Sequence, residues 1–298
     1  MVAVTQQRDI NTGVVSIRDP FDLTATLESG QVFRWRRVDS GWYAGVVGQH
    51  PVLVSQVKGG LSYRCEGGAE ETVQRALHDY FRMGDDLRAV YREVGADPRV
   101  AEAIGRYRGL RLLRQEPWEC LVSFVCSSVS NIPRISRTLE AVAKRYGRAV
   151  SLAGHTLYTF PTPEELARVR EGELRELGLG FRARYVAEIA PAVARGRVNL
   201  NALRQASYRD AKAELMSLPG VGEKVANCLL VFSLDKLEGF PVDRWIRRCL
   251  QEWYFQGGSI SDAALLSWAQ ERWGQHAGYV QQYLFHDRRL AGTKGPTA

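Results

Sequence analysis

The sequence predicts an α+β protein, in which an N-terminal antiparallel β-sheet domain joins a helical body containing a helix-hairpin-helix motif. Three observations carry this reading. From Val14 to about Gly67, apolar residues alternate in short runs broken by Gly, Asp and Ser, the period-two pattern of half-buried strands. Beyond that stretch apolar residues recur at helical spacing, with Gly or Pro near several segment ends. Near residues 208–234, two such helical patterns flank the short turn Leu218-Pro219-Gly220-Val221-Gly222.

Taken in order, Val32-Phe33-Arg34-Trp35, Trp42-Tyr43-Ala44-Gly45-Val46-Val47 and Val52-Leu53-Val54 read as strands. Helices are expected over Glu71–Met83, Pro98–Tyr107, Pro117–Ser128, Ile132–Tyr146, Pro163–Val169, Arg182–Ala190 and Ser261–Trp273. Ser207 is placed to cap a helix through Tyr208, Leu215 and Met216; after the turn, Val225, Cys228, Leu229 and Phe232 recur at helical spacing. These elements divide the chain into a sheet domain with flanking helices over 1–115, a helical body over 116–290 and a frayed tail over 291–298. No internal repeat or low-complexity segment interrupts them.

Bulk properties narrow the classes. A chain of 298 residues buries a substantial core and has room for two or three domains, and its net charge of +7 favours a polyanionic partner. Cys65, Cys120, Cys126, Cys228 and Cys249 show no metal-ligand spacing, so neither a metal nor an iron–sulfur cluster is expected, and their odd number suits a reducing compartment. No secretory signal, membrane-length apolar run or strong basic targeting cluster is evident, so the expectation is an intracellular, soluble protein without membrane association.

The turn carries the chemistry. Gly220 and Gly222 lack a Cβ, so the backbone there is free to adopt positive φ and to aim successive N–H groups at a phosphate. An ordinary tight turn fits the same residues. Lys224 breaks a local rule, because a cation in the first turn of a helix meets the positive end of the macrodipole. That placement favours the neutral amine, which a lysine nucleophile needs; a solvated or phosphate-contacting lysine is the bland alternative. Cys228 follows one helical turn later on the same side. Asp243, behind Pro241-Val242, is expected to cap the next helix and remain ionised. It is also suited to take a proton from the amine or to stabilise positive charge on a sugar ring.

This arrangement of hairpin, Gly/Pro-containing connection and aspartate resembles the helix-hairpin-helix glycosylase superfamily, with Lys224 and Asp243 at its catalytic positions. More closely, the chain resembles the 8-oxoguanine DNA glycosylases from about Pro20 to about Leu290. Four blocks carry the likeness: Ser29-Gly30-Gln31-Val32-Phe33-Arg34-Trp35, Ser123-Phe124-Val125-Cys126-Ser127-Ser128, Leu177-Gly178-Leu179-Gly180-Phe181-Arg182-Ala183-Arg184-Tyr185, and Ala277-Gly278-Tyr279 through Leu284-Phe285. The resemblance implies a bifunctional DNA N-glycosylase and AP lyase of base excision repair. Such an enzyme, acting as a monomer on double-stranded DNA, flips 8-oxoguanine, attacks C1′ through Lys224 and cleaves the strand by β-elimination of the resulting imine.

The lesion explains the residues. 8-Oxoguanine carries a hydrogen on N7, which turns guanine's N7 acceptor into a donor. By resemblance, the carbonyl of Gly30 detects that hydrogen, Gln281 reads the Watson–Crick edge, and Phe285 and Cys228 enclose the base from two sides. Phe181, Arg182 and Arg134 match positions that wedge the helix or contact the orphaned cytosine. No organic cofactor is implied, although carbonyls of the Pro219–Gly222 turn match a monovalent-cation site. The location implied is the nucleoid of a prokaryotic cytoplasm, or the nucleus of a eukaryote.

Two departures stand out. Where the family often has three asparagines the chain has Val129-Ser130-Asn131, which puts strict selection for cytosine in doubt. Trp245 stands where the family commonly has a histidine near the DNA phosphate, so that contact is either lost or replaced by the indole N–H. Two other activities stay open on the residues: a monofunctional glycosylase for alkylated bases, which activates water without Lys224, and a non-catalytic DNA-binding module using the hairpin alone.

Overall fold

The protein is described from a computed structural model covering residues 9–39 and 41–293. Five strands, β1 (Ile10–Ser16), β2 (Arg36–Arg37), β3 (Trp42–Val47), β4 (His50–Val57) and β5 (Gly60–Glu66), form an antiparallel sheet in the order β1-β5-β4-β3-β2. The pairs Val47↔His50 and Val57↔Gly60 leave two-residue turns, where Gly48 (φ 61°) and Gly59 (φ 77°) supply the positive φ that tight hairpins require.

The helices are α1 (Leu23–Glu28), α2 (Glu70–Tyr80), α3 (Leu87–Val94), α4 (Pro98–Arg106), α5 (Pro117–Cys126), α6 (Ile132–Tyr146) and α7 (Pro163–Leu166). They continue as α8 (Glu171–Leu174), α9 (Arg182–Ala194), α10 (Tyr208–Met216), α11 (Glu223–Phe232), α12 (Arg244–Tyr254), α13 (Asp262–Trp273) and α14 (Ala277–Thr293). Proline stands in the first turn of α4, α5, α6 and α7, where its missing N–H costs nothing. α5 is buried almost throughout and forms the centre of the body's core.

Several expectations are corrected. Val32–Trp35 forms no strand. Its alternation serves two cores instead: Phe33 enters the helical body, its ring 5.6 Å from that of Phe124, while Val32 and Trp35 pack against the core of the sheet. Trp35 is fixed there by its indole N–H, which donates to Tyr80 Oη at 3.0 Å, and by Gly45, where a Cβ would come within 2.6 Å of the ring. The short helix α1, capped by Asp22, interrupts the region read as sheet alone. Within the body, β6 (Ala149–Leu152) and β7 (His155–Tyr158) form a hairpin whose Leu152 and Leu157 pack on Ala44 and Leu53 of the sheet. Ala291 lies in α14 rather than in a tail, and residues 294–298 fall outside the described chain.

α3 and α4 precede residue 116, yet Leu87, Val90, Val100 and Ile104 share the body's core. Sheet and body are also fastened by charge. Asp235, from the body, accepts from Arg114 Nε at 2.8 Å and pairs with the buried Arg82 just beyond α2.

Candidate active site

α10 starts at Ser207, whose hydroxyl accepts from Asp210 N at 3.1 Å, and α11 starts without any side-chain cap at Gly222. Between them Gly220 adopts φ 74°, and a Cβ there would stand 2.5 Å from the ring of Tyr185, so both conformation and space demand glycine. Gly222 differs from the sequence expectation. Its φ is −94°, ordinary extended backbone, and nothing lies within 4 Å of its would-be Cβ. What glycine provides there is an open approach to the first N–H groups of α11, which no helix satisfies internally.

Lys224, on the first turn of α11, is half-buried. Its Nζ donates to Ser127 Oγ at 2.9 Å and lies 5.1 Å from the centroid of the Phe124 ring. Ser127 ends α5 and donates in turn to the Phe124 carbonyl at 2.6 Å. Cys228 follows Lys224 one turn along and is buried; burial pushes its thiol up to about 11 against the opposing pull of Lys224, so the side chain is a neutral surface.

Asp243 caps α12, with Oδ1 accepting from Trp245 N and Ile246 N at 2.9 Å each. Burial raises its carboxyl above the usual aspartate range, while the two N–H groups and the positive charge of Lys224 pull the other way. The connection to Asp243 is braced by Asn227. Its Oδ1 accepts from Tyr208 Oη at 2.7 Å and from Phe240 N at 3.3 Å, and its Nδ2 donates to the Glu223 carbonyl at 2.9 Å. One buried amide therefore ties α10, α11 and the approach to Asp243 together.

A second group, remote in sequence from the hairpin, gathers around Gly30. Gly30 has φ 83°, and a Cβ there would stand 2.7 Å from Ile132 Cδ1 and 3.2 Å from Phe285. The segment is clamped on both sides. Gln282 Nε2 donates to the Ser29 carbonyl at 3.0 Å, and Gln115 Nε2 donates to the Gln31 carbonyl at 2.8 Å. The Gln31 side chain itself donates to the Arg111 carbonyl at 2.8 Å and accepts from Leu113 N at 2.8 Å. Gln281 is 4% exposed on α14, one turn from Phe285, and its Oε1 is buried without a hydrogen-bond partner in the protein. An orphaned buried acceptor is rare in a folded chain and calls for a donor from outside.

Around the rim, Phe181 is exposed at the start of α9 and Arg134 stands exposed on the first turn of α6. Trp245 is half-buried on α12, with the Arg244 guanidinium 5.2 Å from its ring centroid. Arg182, expected to contact DNA, is buried, with Nε and Nη2 donating to the carbonyls of Ser128 and Val129. Ser127 and Ile132 carry no role in the sequence analysis, yet the first holds Lys224 and the second stands against Gly30. Among the described residues no group of His, Cys, Asp and Glu is arranged to hold a metal ion.

Residues 14–121 match the N-terminal domain of 8-oxoguanine DNA glycosylase, and residues 122–275 match the HhH-GPD superfamily of base excision DNA repair proteins. The chain belongs to the 8-oxoguanine DNA glycosylase family. It is 32% identical to the N-glycosylase/DNA lyase OGG1 of Arabidopsis thaliana over 88% of this chain and 76% of that protein. With a probable N-glycosylase/DNA lyase of Methanothermobacter thermautotrophicus it shares 31% identity over 91% of this chain and 95% of that protein. The Clostridium acetobutylicum 8-oxoguanine glycosylase/lyase, solved with double-stranded DNA containing cytosine opposite 8-oxoguanine, superposes with a TM-score of 0.87 at 28% identity over 96% of this chain and 99% of that one. Within this glycosylase family, Gly30 lies in the first matched segment and the hairpin in the second, while Gln281 and Phe285 lie beyond both.

Proposed function

We propose that the protein flips 8-oxoguanine out of duplex DNA and excises it, with Lys224 as the nucleophile. One observation carries the assignment to Lys224: an amine on an uncapped helix start, held by Ser127, with the half-buried carboxyl of Asp243 near enough to feel its charge. A proton passes from the Lys224 ammonium to Asp243, neutral Nζ attacks C1′, and the bond from C1′ to the base breaks with its electron pair leaving on the base; the proton then passes from Asp243 to the departing base, and the restored carboxylate counters the positive charge left on Nζ. Loss of the ring oxygen from C1′ leaves an imine. Removal of a C2′ proton then expels the 3′ phosphate, which is the lyase step.

The base lies between Phe285 and the neutral Cys228. The Gly30 carbonyl accepts N7–H of the lesion, a contact guanine opposes with a lone pair, and the orphaned Oε1 of Gln281 accepts from the base edge. Uncapped N–H groups at the start of α11, after Gly222, hold a phosphate, with Trp245 beside them. Carbonyls of the Pro219–Gly222 turn would hold a monovalent cation, whose positive charge would favour the approach of a DNA phosphate. The enzyme acts as a monomer wherever the cell keeps its DNA, the nucleoid or the nucleus.

Borohydride added during turnover of an 8-oxoguanine duplex should trap protein on DNA, and Lys224→Gln should abolish trapping while retaining binding. Undiminished trapping in that variant removes Lys224 from the nucleophile role. Parallel duplexes carrying alkylated bases test the water-activating alternative, for which Lys224 is dispensable.

A further inference from the structure

Asn227 is a polar residue in an apolar place. It is 1% exposed, on a helix buried from Val225 to Phe232. A buried amide in a helix interior gives up both favourable propensity and hydration unless its hydrogen bonds are made. Here they reach three separate stretches: the Tyr208 hydroxyl of α10, the Glu223 carbonyl one turn back on α11, and the Phe240 N–H of the connection to α12.

Later helices grip the same connection. Gln270 Nε2 of α13 donates to the Glu238 carbonyl at 3.0 Å, and Gly278 N of α14 donates to the Leu237 carbonyl at 2.8 Å. Gly239 lets the chain pass close to α11, because a Cβ there would stand 2.8 Å from Val231 Cγ2 and 3.4 Å from Asn227 Oδ1. Beyond Phe240 only Pro241 and Val242, both buried, precede Asp243. Proline locks its own φ and restricts Phe240 before it, so a displacement at Phe240 N is passed on to Asp243 rather than absorbed. On α11 itself, Asn227 follows Lys224 by less than one turn, a rigid spacing.

We infer that Asn227 is the positioning residue that sets the separation between the Lys224 amine and the Asp243 carboxylate. The inference rests on the lysine mechanism proposed above. Asn227 acts through the backbone of the connection, not on the reacting atoms. Proton transfer between amine and carboxylate depends steeply on their separation, and a misplacement of about 1 Å in such a pair is enough to cost about 100-fold in rate. Burial pushes the Tyr208 phenol up to about 12, so its hydroxyl remains a donor to the amide at every pH at which the enzyme is assayed.

The test measures single-turnover base release from an 8-oxoguanine duplex at saturating enzyme, which removes affinity from the comparison. The full chain is compared with Asn227→Ala, Asp243→Asn, the double variant Asn227→Ala/Asp243→Asn, and Asn227→Asp. Asn227→Ala should slow release about tenfold, less than the roughly 100-fold expected when the carboxylate is lost altogether. In the Asp243→Asn background the same substitution should cost less than about twofold, because no carboxylate is left to place. Asn227→Asp is read by pH. As a neutral acid the new side chain reproduces the amide, one oxygen accepting from Tyr208 and Phe240 while the O–H donates to the Glu223 carbonyl; once ionised, the second oxygen repels that carbonyl. Burial raises such a carboxyl, so the ratio of variant to parent rate should fall about tenfold between about pH 5 and about pH 8. The other titratable groups around position 227 are Tyr208 and Lys212 on α10, Glu223, Lys224 and Cys228 on α11, Glu238 on the connection and Asp243 at its end. Both chains carry them, so they cancel in the ratio.

An equal loss from Asn227→Ala in both backgrounds would show a general softening of the hairpin, and a flat ratio across pH for Asn227→Asp would show that the amide's bonds do not govern the rate; either result overturns the inference. If Asn227→Ala does not fold, Asn227→Asp, which keeps the shape of the amide, decides alone by that ratio. Failure of the parent chain to release base from any duplex, or undiminished trapping in Lys224→Gln, overturns the proposed mechanism itself and is distinguishable from every outcome above.

Discussion

Replacing Ser127 by alanine should slow covalent capture of DNA by about tenfold while leaving DNA affinity nearly unchanged. The hydroxyl accepts a 2.9 Å bond from Lys224 Nζ in a half-buried position. A hydrogen bond to a charged group contributes roughly 1.5–3 kcal/mol, and water can enter this site once the hydroxyl is gone, so the lower end applies. About 1.5 kcal/mol off the productive amine geometry is about tenfold in rate. Contact with the Phe124 ring, 5.1 Å away, keeps the amine in the neighbourhood and prevents a larger loss. The assay is the single-turnover rate of borohydride trapping on an 8-oxoguanine duplex, with affinity measured on an uncleavable abasic analogue. A trapping rate within twofold of the parent, at equal affinity, would refute the claim that this hydrogen bond aims the nucleophile.

Asp243→Asn should preserve stability, because asparagine also caps helices, and slow base release about 100-fold, read from single-turnover kinetics beside thermal melts. Because burial raises the Asp243 carboxyl, the acid limb of the parent's rate profile should lie above the ordinary aspartate value of about 4, with activity lost as pH falls through it. Gly220→Ala incurs left-handed strain of roughly 1–2 kcal/mol plus overpacking of roughly 1–3 kcal/mol against Tyr185, whereas Gly222→Ala should cost under about 1 kcal/mol; urea unfolding of the pair checks the contrast. His286 is 4% exposed, and burial, reinforced by Arg289, lowers it to about 4. The folded chain then resists a proton that the unfolded chain takes up near its usual value of about 6.5. Stability should be full above that pH and fall by up to about 3 kcal/mol as pH drops toward 4, a slope that His286→Asn should flatten in urea midpoints.

The hairpin was legible because its chemistry is local: Gly220, Lys224, Cys228 and Asp243 lie within one short stretch, and caps such as Ser207 and Asp243 act on their own neighbours. α3 is absent from the predicted helices although its signal is local too, with Leu87, Val90 and Val94 behind the cap Asp86. The group of Gly30, Gln281 and Phe285 is another matter. Nothing in spacing joins positions so far apart, and the family likeness alone assembled them. Ser127 lies 97 residues from Lys224 and carries no signal that distinguishes it from any helix-ending serine. Arginine is usually a surface residue, so the burial of Arg182 depends on carbonyls that only the folded turn presents. Val32–Trp35 misled for a physical reason: alternation reports two environments, and here those are two cores rather than a core and solvent.

That segment has a consequence for how the molecule tolerates change. Gly30 lies three residues before Phe33, so the carbonyl proposed to recognise the lesion is anchored in the joint where sheet and body are stitched together. A cavity opened at Phe33, or a slackened Trp35, shifts the reading head relative to the hairpin even when the fold survives. Discrimination between oxidised and normal guanine should therefore erode before melting temperature does, and amide exchange at residues 29–35 should track error rate more closely than global stability.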